Sequence, residues 1–134
     1  MRTFVFLVAS FALAGAAEAQ APQAETRPAM VFFDWGKTEV SRDGTSILDA
    51  LAQAYQPGTT LVLTGFSDRS GLASANILTS RVRAGAVRDY LIAKGVPASA
   101  IQEKGAGESG FIIPTEDGVR EVQNRRVEIR IDQP

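Results

Sequence analysis

The sequence predicts a two-layer α/β sandwich, in which a mixed sheet of about four strands carries two main helices on one face. Three patterns predict it. Short apolar runs of strand length alternate with two longer segments whose apolar residues recur every three or four positions. The last apolar run alternates strictly with polar residues. Because right-handed β-α-β crossovers place successive helices on the same side of a sheet, the predicted order is βαβαβ, a long loop and a final strand.

The first strand and the first helix have clear boundaries. The apolar run at residues 29–33 has strand length, and Asp34 and Gly36 supply turn chemistry after it. Ser41 is a good helix N-cap, and apolar residues at helical spacing continue to Gln56. Pro57 and Gly58 then end the helix.

The second strand and the second helix follow. Residues 60–66 are apolar and β-branched, which favours a strand. A stripe of residues spaced three and four apart is predicted to face the core; it consists of Ala73, Ile77, Ser80, Ala84, Val87 and Leu91. Small residues in this helix, Gly85 among them, are predicted to let it pack close to the sheet. Residues 94–97 (KGVP) combine a cation, a glycine and a proline, which is a complete helix stop.

The remaining elements are a third strand at residues 101–106, a long loop at 107–118 and a last strand at 126–131. The third strand and the loop contain GAGESG at residues 105–110, which matches a dinucleotide-binding pattern. That function requires a helix directly after the glycines, and Pro114 disfavours one. We therefore interpret these glycines as a turn.

The first residues are predicted to be a processing segment. Arg2, an apolar core of about 14 residues and Ala17-Glu18-Ala19 fit a signal peptide over residues 1–19. The alternative is an uncleaved membrane anchor, although the run is shorter than the roughly 20 residues a bilayer requires. Residues 20–28 are predicted to be a flexible leader and residues 29–134 the folded domain, without a membrane span after cleavage.

The composition excludes several classes of function. The chain has no cysteine and no histidine, so disulfides, thiol nucleophiles, histidine bases and the usual zinc ligand sets are excluded. Its formal charge is −1, without the basic surplus of nucleic-acid-binding proteins. No cofactor, metal or nucleic acid is expected.

The candidate site lies between the second strand and the second helix. Asp68 follows the strand, while Asn76 and Arg83 share one face of the helix because they are seven positions apart. One anion facing one cation suits a zwitterionic ligand. The same residues allow structural roles: Asp68 could cap the helix or pair with Arg83, and neighbouring arginines could be exposed charges.

Five motifs then occur in a fixed order along nearly the whole predicted domain. They are VFFD at 31–34, GFSDRSG at 65–71, the series Asn76, Ser80, Arg83, Ala84, Val87, Tyr90 and Leu91, GAGES at 105–109, and NRRVEI at 124–129. In these motifs the chain resembles the OmpA-like C-terminal domain family, the peptidoglycan-associating module of Gram-negative envelope proteins. It departs from the family pattern at Thr79, where leucine is usual, and at Val82, where a second arginine is frequent.

The resemblance implies non-catalytic binding of peptidoglycan through the diaminopimelate residue of its stem peptide. By family position, Asp68 would accept from the ligand ammonium and Arg83 would clamp a carboxylate. Asn76 would line the same groove. The resemblance also implies ligand-binding roles for Ser67 and Asp34, and for one of the two consecutive arginines Arg125 and Arg126; the sequence does not say which.

Other functions stay open at this stage. The apolar residues Phe111, Ile112 and Ile113 in the 107–118 loop could dock an envelope protein partner, which would make the chain an interaction adaptor, or they could pack against the sheet. A wall hydrolase would require a pair of carboxylates, and Asp34 and Asp68 are the candidates. The expected location is the periplasm, associated with the wall and in contact with the outer membrane if an anchor exists.

Overall fold

A four-stranded mixed sheet carries two helices on one face, which confirms the predicted fold class. The computed structural model describes residues 27–134. Its elements are β1 (Ala29–Phe32), α1 (Arg42–Ala54), β2 (Thr60–Phe66), α2 (Ala73–Ala93), β3 (Ile101–Gly107) and β4 (Arg126–Asp132), with short 3-10 turns at Ala98–Ala100 and Val122–Asn124.

The predicted signal segment, residues 1–19, lies outside the described residues, as does most of the leader at 20–28. The first strand begins at Ala29, where the sequence places the start of the folded domain. Within residues 27–134, neither helix has the length and apolar character that crossing a bilayer requires.

The strand order across the sheet is β1, β4, β2, β3. The last strand, β4, therefore lies between β1 and β2 and is antiparallel to both, while β2 and β3 are parallel. Phe66, the last residue of β2, is paired with Arg126, the first residue of β4. Consequently the residues that follow β2 and those that precede β4 lie at the same end of the sheet.

The predicted local signals lie near the helix ends, although α1 ends at Ala54 and not at Gln56. The Ser41 hydroxyl accepts a hydrogen bond from the Gly44 backbone N–H at 3.1 Å, which caps α1. The helix ends three residues before Pro57. α2 ends at Ala93, and Gly95 follows with φ of +104°, a conformation that favours glycine.

The core lies between the inner face of the sheet and the two helices. Its side chains come from every strand and both helices, so one apolar layer joins all the main elements. The fully buried members are Val31, Leu48, Leu63, Ala84, Val87, Leu91, Val127 and Ile129.

Strand glycines allow α2 to lie close to the sheet. A Cβ on Gly65 would come within 2.0 Å of the Ser80 carbonyl oxygen, and one on Gly105 within 2.7 Å of the Arg81 backbone nitrogen. The prediction that Gly85 serves this packing is wrong, because a Cβ there would meet only the Glu103 carboxylate at 3.8 Å. The close approach fixes the helix that carries Arg83 relative to the strand that leads to Asp68.

The predicted apolar stripe of α2 is correct only for its C-terminal part. Ser80, Ala84, Val87 and Leu91 are buried, whereas Ala73 is exposed and Ile77 half-exposed. The first turns of α2 extend past the end of the strands and border a cleft instead of the core.

Candidate functional site

A cleft of about 190 Å³ opens where β2 ends. The loop after β1, the loop after β2, the first half of α2 and the residue before β4 form its walls. Its lining residues are Trp35, Gly36, Ser67, Asp68, Ser70, Gly71, Asn76, Thr79, Arg83 and Arg125. Five of the seven predicted site residues therefore meet there, namely Ser67, Asp68, Asn76, Arg83 and Arg125.

In the part of the chain that the structure describes, Arg83 is a buried cation with no acidic partner. It is 2% exposed, and its Nε donates to the Lys37 carbonyl at 2.9 Å. Its Nη2 lies 3.5 Å from the Asp34 carbonyl oxygen, and the guanidinium lies 5.4 Å from the centre of the Phe33 ring. Among residues 27–134, no carboxylate oxygen lies within 4.0 Å of it.

The environment of Arg83 opposes its charge. Burial lowers the pKa of its guanidinium, and the positive charge of the nearby Arg125 lowers it further. The negative charge of Asp68 raises this pKa but offsets the two effects only in part. An arginine stays protonated at neutral pH even so. The cleft therefore contains a desolvated positive charge that an anion entering the cleft would neutralise.

Asp68, by contrast, is fully engaged within the protein. Its Oδ2 accepts from Arg125 Nη1 at 2.7 Å and from the Glu121 backbone N–H at 3.1 Å. Its Oδ1 accepts from the Ser70 hydroxyl at 2.5 Å and from the Ser70 backbone N–H at 3.1 Å. Burial would raise the pKa of this carboxyl, but the hydrogen bonds from Ser70, Arg125 and Glu121 together hold it below its ordinary value.

The structure separates the two consecutive arginines. Arg125 lines the cleft and also donates through Nε to the Phe33 carbonyl at 2.9 Å. Arg126 lies outside the cleft: it donates to Glu128 and to the Gly110 carbonyl and packs over the Phe66 ring. Because neighbouring residues at the start of a strand point to opposite sides, only one could face the cleft.

Asn76 braces the loop that carries Asp68. Its Nδ2 donates to the Ser70 carbonyl at 2.7 Å and to Glu108 at 2.7 Å. The amide group thus connects the start of α2, the loop after β2 and the end of β3. Within residues 27–134 its Oδ1 accepts no hydrogen bond, so that oxygen remains available at the cleft.

Ser67 and Asp34 contribute in different ways. Ser67 is 2% exposed and lines the cleft, yet its hydroxyl has no hydrogen-bond partner among the described residues. Because buried hydroxyls in folded proteins usually form a hydrogen bond, this one has bonding capacity to offer a group that enters the cleft. Asp34 offers the cleft region only its backbone carbonyl, which faces Arg83, and its side chain is not among the cleft-lining groups.

Two functional residues were missed from the sequence. Trp35, interpreted only as part of a turn, lines the cleft mouth and is 52% exposed. Its indole Nε1 donates to the Ser70 hydroxyl at 3.3 Å, and the Arg120 guanidinium lies 3.5 Å from its ring centre. An aromatic residue in a tight turn next to a candidate site was the available signal for Trp35, whereas no sequence signal pointed to Arg120.

The 107–118 loop is held against the domain by a buried amide. The Oδ1 of Asn124 accepts from the backbone N–H groups of Ile112 and Ile113, and its Nδ2 donates to the Ile113 carbonyl. Phe111 is half-buried beneath the Arg69 guanidinium, and Ile112 is 38% exposed. Partial burial accounts for much of this apolar surface, and the adaptor hypothesis stays a prediction.

The cleft is equipped for binding. It combines an unpaired guanidinium, a neutralised carboxylate, a free hydroxyl and amide groups, which suit a ligand with carboxylate and amine groups. The carboxylate pair that a hydrolase would require is missing from it, since Asp68 is ion-paired and the Asp34 side chain lies elsewhere. Between residues 27 and 134, no three acidic side chains come together as a metal site.

Comparison with known proteins gives a consistent result. The sequence model of the OmpA family matches residues 32–125. An outer membrane protein of Gluconacetobacter diazotrophicus is 36% identical over 111 residues, which cover 77% of this chain and 29% of the relative. Outer membrane protein A of Bordetella avium is 32% identical over 102 residues, covering 75% of this chain and 53% of the relative. The chain thus spans about a third to a half of these relatives.

Solved structures share the fold. The peptidoglycan-associated lipoprotein from Burkholderia pseudomallei superposes with a TM-score of 0.71 at 25% identity, covering 77% of this chain and 89% of that protein. The C-terminal domain of Helicobacter pylori MotB superposes with a TM-score of 0.67 at 21% identity, covering 78% and 83% respectively. The second likeness concerns the fold alone.

Proposed function

The chain belongs to the OmpA family, and on that basis we propose that it binds peptidoglycan without catalysis. The ligand group is the diaminopimelate residue of the stem peptide. Arg83 receives the carboxylate of its side-chain end, and Asp68 receives the ammonium beside it. The name of the peptidoglycan-associated lipoprotein that shares this fold supports the class of ligand.

The observation that carries the proposal is the uncompensated charge of Arg83. Removing a guanidinium from water without an anionic partner is costly, so a fold that maintains this arrangement gains when a carboxylate enters. The fork of the guanidinium can hold a carboxylate through two parallel hydrogen bonds. Lysine lacks the terminal carboxylate of diaminopimelate, so Arg83 would also distinguish the two stem-peptide types.

The ammonium end requires a small rearrangement. Each Asp68 oxygen already accepts two hydrogen bonds, three of them from backbone groups or Arg125, which are fixed in place. The fourth comes from the Ser70 hydroxyl, which can rotate away. A ligand ammonium could take its place at Oδ1, while Ser67 supplies a further hydroxyl that is free to accept from it.

The proposed location is the periplasm, in association with the cell wall. Removal of residues 1–19 as a signal peptide is part of this proposal. Contact with the outer membrane is also part of it, since the relatives are named as outer membrane proteins. Any partner in the envelope beyond peptidoglycan would be an addition to this role.

The test is co-sedimentation with purified sacculi of the diaminopimelate type. The variant Arg83→Met removes the charge and keeps an unbranched apolar stem, whereas Arg81→Met removes an exposed arginine of the same helix outside the cleft. We expect the first to lose binding by roughly 2–5 kcal/mol and the second to bind like wild type. Equal sedimentation of the two variants would contradict the proposal. Sacculi of the lysine type should retain less of the wild-type protein.

A further inference from the structure

Beside the cleft, a third arginine lies over the exposed ring of Trp35. The Arg120 guanidinium lies 3.5 Å from the centre of the Trp35 ring, close enough to be stacked on its face. Trp35 belongs to the loop after β1, and Arg120 belongs to the segment between the 107–118 loop and β4. The stack therefore joins the cleft wall that contains Trp35 to the segment that precedes β4.

The stack orients the Arg120 guanidinium so that its N–H groups can bind an anion. Stacking covers the face of a guanidinium but leaves its N–H donors, which lie in the plane, directed outwards. Within residues 27–134, no carboxylate oxygen lies within 4.0 Å of this group. The two nearest acids in sequence are engaged elsewhere: Asp117 pairs with Arg69, and Glu121 accepts from the Gln123 backbone N–H.

Hydrogen bonds tie both halves of the stack to the deep part of the cleft. Trp35 donates to the Ser70 hydroxyl, which in turn donates to Asp68. The residue after Arg120, Glu121, donates its backbone N–H to the other oxygen of the same carboxylate. The position of the rim cation is therefore set relative to the group that would hold the ligand ammonium.

We propose that Arg120, held on the face of Trp35, binds a second carboxylate of the peptide ligand at the cleft mouth. This inference rests on the proposed function, since it assumes that the first carboxylate enters at Arg83. The cleft would then select for a peptide with two carboxylates, one at the end of the diaminopimelate side chain and one on the peptide backbone.

Two groups of the stem peptide could supply the second carboxylate. One is the α-carboxylate of the γ-linked glutamate that precedes diaminopimelate, and the other is the carboxylate at the peptide C-terminus. Their chemistry is the same, and each can be converted to a neutral amide. Amidation of one group at a time therefore distinguishes the two sources.

The test is calorimetric titration with three synthetic tripeptides, one unmodified and two amidated singly. Wild type is compared with Arg120→Gln and with the control Arg81→Gln, which removes an exposed positive charge away from the cleft. We expect Arg120→Gln to bind the unmodified tripeptide about two- to fivefold more weakly, as the loss of an exposed ion pair would give. One amidated tripeptide should bind wild type and Arg120→Gln equally, and the control should resemble wild type throughout.

The inference is overturned if Arg120→Gln binds all three tripeptides as wild type does, or if its loss is equal for all three or is matched by the control. A separate titration of Arg83→Met shows which proposal fails. If wild type binds, Arg83→Met does not, and Arg120→Gln is unaffected, only the rim site is wrong. If wild type does not bind, or Arg83→Met binds like wild type, the proposed function fails and this inference with it.

Trp35 gives a second measurement that does not depend on affinity. It is the only tryptophan of the chain, so all indole fluorescence comes from the cleft mouth. We expect the emission of ligand-free Arg120→Gln to differ from wild type, because the stacked cation is removed, and the emission of Arg81→Gln to be unchanged. Identical emission spectra for wild type and Arg120→Gln would contradict the stack on which the rim site depends.

Discussion

Arg83 and Arg125 are both buried and line the same cleft, but within residues 27–134 only Arg125 has an acidic partner. Arg125 joins β4 to the loop after β2 through Asp68, and its guanidinium also holds the end of β1 through the Phe33 carbonyl. Arg83 reaches only backbone carbonyls and a ring face. Arg125 thus stabilises the walls of the cleft, whereas Arg83 is the arginine that we propose for the ligand.

This difference separates two uses of buried charge. A buried ion pair that is fully hydrogen-bonded holds elements in one arrangement, and losing either partner leaves the other desolvated and unpaired. A buried cation without an anion makes the ligand-free protein less stable than it could be. When an anionic ligand binds, the interaction that the cation lacked is formed and contributes to the free energy of binding. A substitution of Arg125 should therefore mainly lower the free energy of unfolding, whereas a substitution of Arg83 should mainly lower the affinity for the ligand.

The largest effect is expected from breaking the ion pair. Arg125→Met leaves the buried Asp68 carboxylate without its cation and should lower the free energy of unfolding by about 3–5 kcal/mol, measured in urea. Adding Asp68→Asn to that variant removes the unpaired charge and should restore part of the loss. A change below about 1 kcal/mol for the single variant would show that Arg125 and Arg83 have similar structural roles.

The same pair predicts a dependence on pH. Because the pKa of Asp68 is lower in the folded protein than its ordinary value of 3.8, its contribution is present above that value and is lost as the pH falls through the folded pKa. The gap in unfolding free energy between wild type and Asp68→Asn should therefore narrow as the pH is lowered below about 4.

The exposed pair of Arg130 and Asp132 is the control for this titration, measured as Asp132→Asn. This ion pair is open to solvent, so the difference in unfolding free energy between wild type and Asp132→Asn should be much smaller at every pH. If the Asp68→Asn gap did not change with pH, the ion pair would not be the source of the acid sensitivity.

A smaller effect on folding is expected at Arg83. Arg83→Met removes a desolvated charge, but it also removes one hydrogen bond of ordinary length and one long one to carbonyl groups. The two effects oppose each other, so the free energy of unfolding should stay within about 1 kcal/mol of wild type. Thermal and urea unfolding check this. A loss comparable to that of Arg125→Met would mean that Arg83 holds the fold, and the contrast between the two arginines would not stand.

The smallest effect is expected at Ser67. Its hydroxyl is buried without a partner among the described residues, so Ser67→Ala should leave the free energy of unfolding unchanged or raise it slightly. Affinity for the diaminopimelate tripeptide should fall by about 1 kcal/mol if the ligand uses this hydroxyl. Calorimetric titration under conditions where both proteins are fully folded measures the affinity separately from the stability. An unchanged affinity would remove Ser67 from the proposed site.

Local features of the fold could be predicted from the sequence because their signals are local. The Ser41 cap, the Pro57-Gly58 stop and the residues around Gly95 each depend on a few neighbouring residues. β2 begins and ends where the apolar run does. The proposed positions of Asp68 and Arg83 also follow from one strand, one loop and one helix that are consecutive in the chain.

Contacts between distant segments could not be predicted in this way. Asp68 is paired with Arg125, 57 positions away, because β4 inserts beside β2, and no periodicity in the sequence specifies that strand order. The same insertion decides that Arg125 faces the cleft and Arg126 does not. The stack of Trp35 and Arg120 joins two loops, for which the sequence carries no repeating pattern at all.

The central place of β4 also determines when the native sheet can form. β1 and β2 are not paired with each other, and β4 joins them by pairing residues 126–129 with β1 and residues 126–132 with β2. The ladder between β1 and β4 spans almost the whole domain, and closing so long a loop is slow and comes before any gain from pairing. Since Arg125 arrives with β4, the core and the cleft are completed together, and a chain that ends before residue 125 lacks the residues that β4 and Arg125 contribute to both.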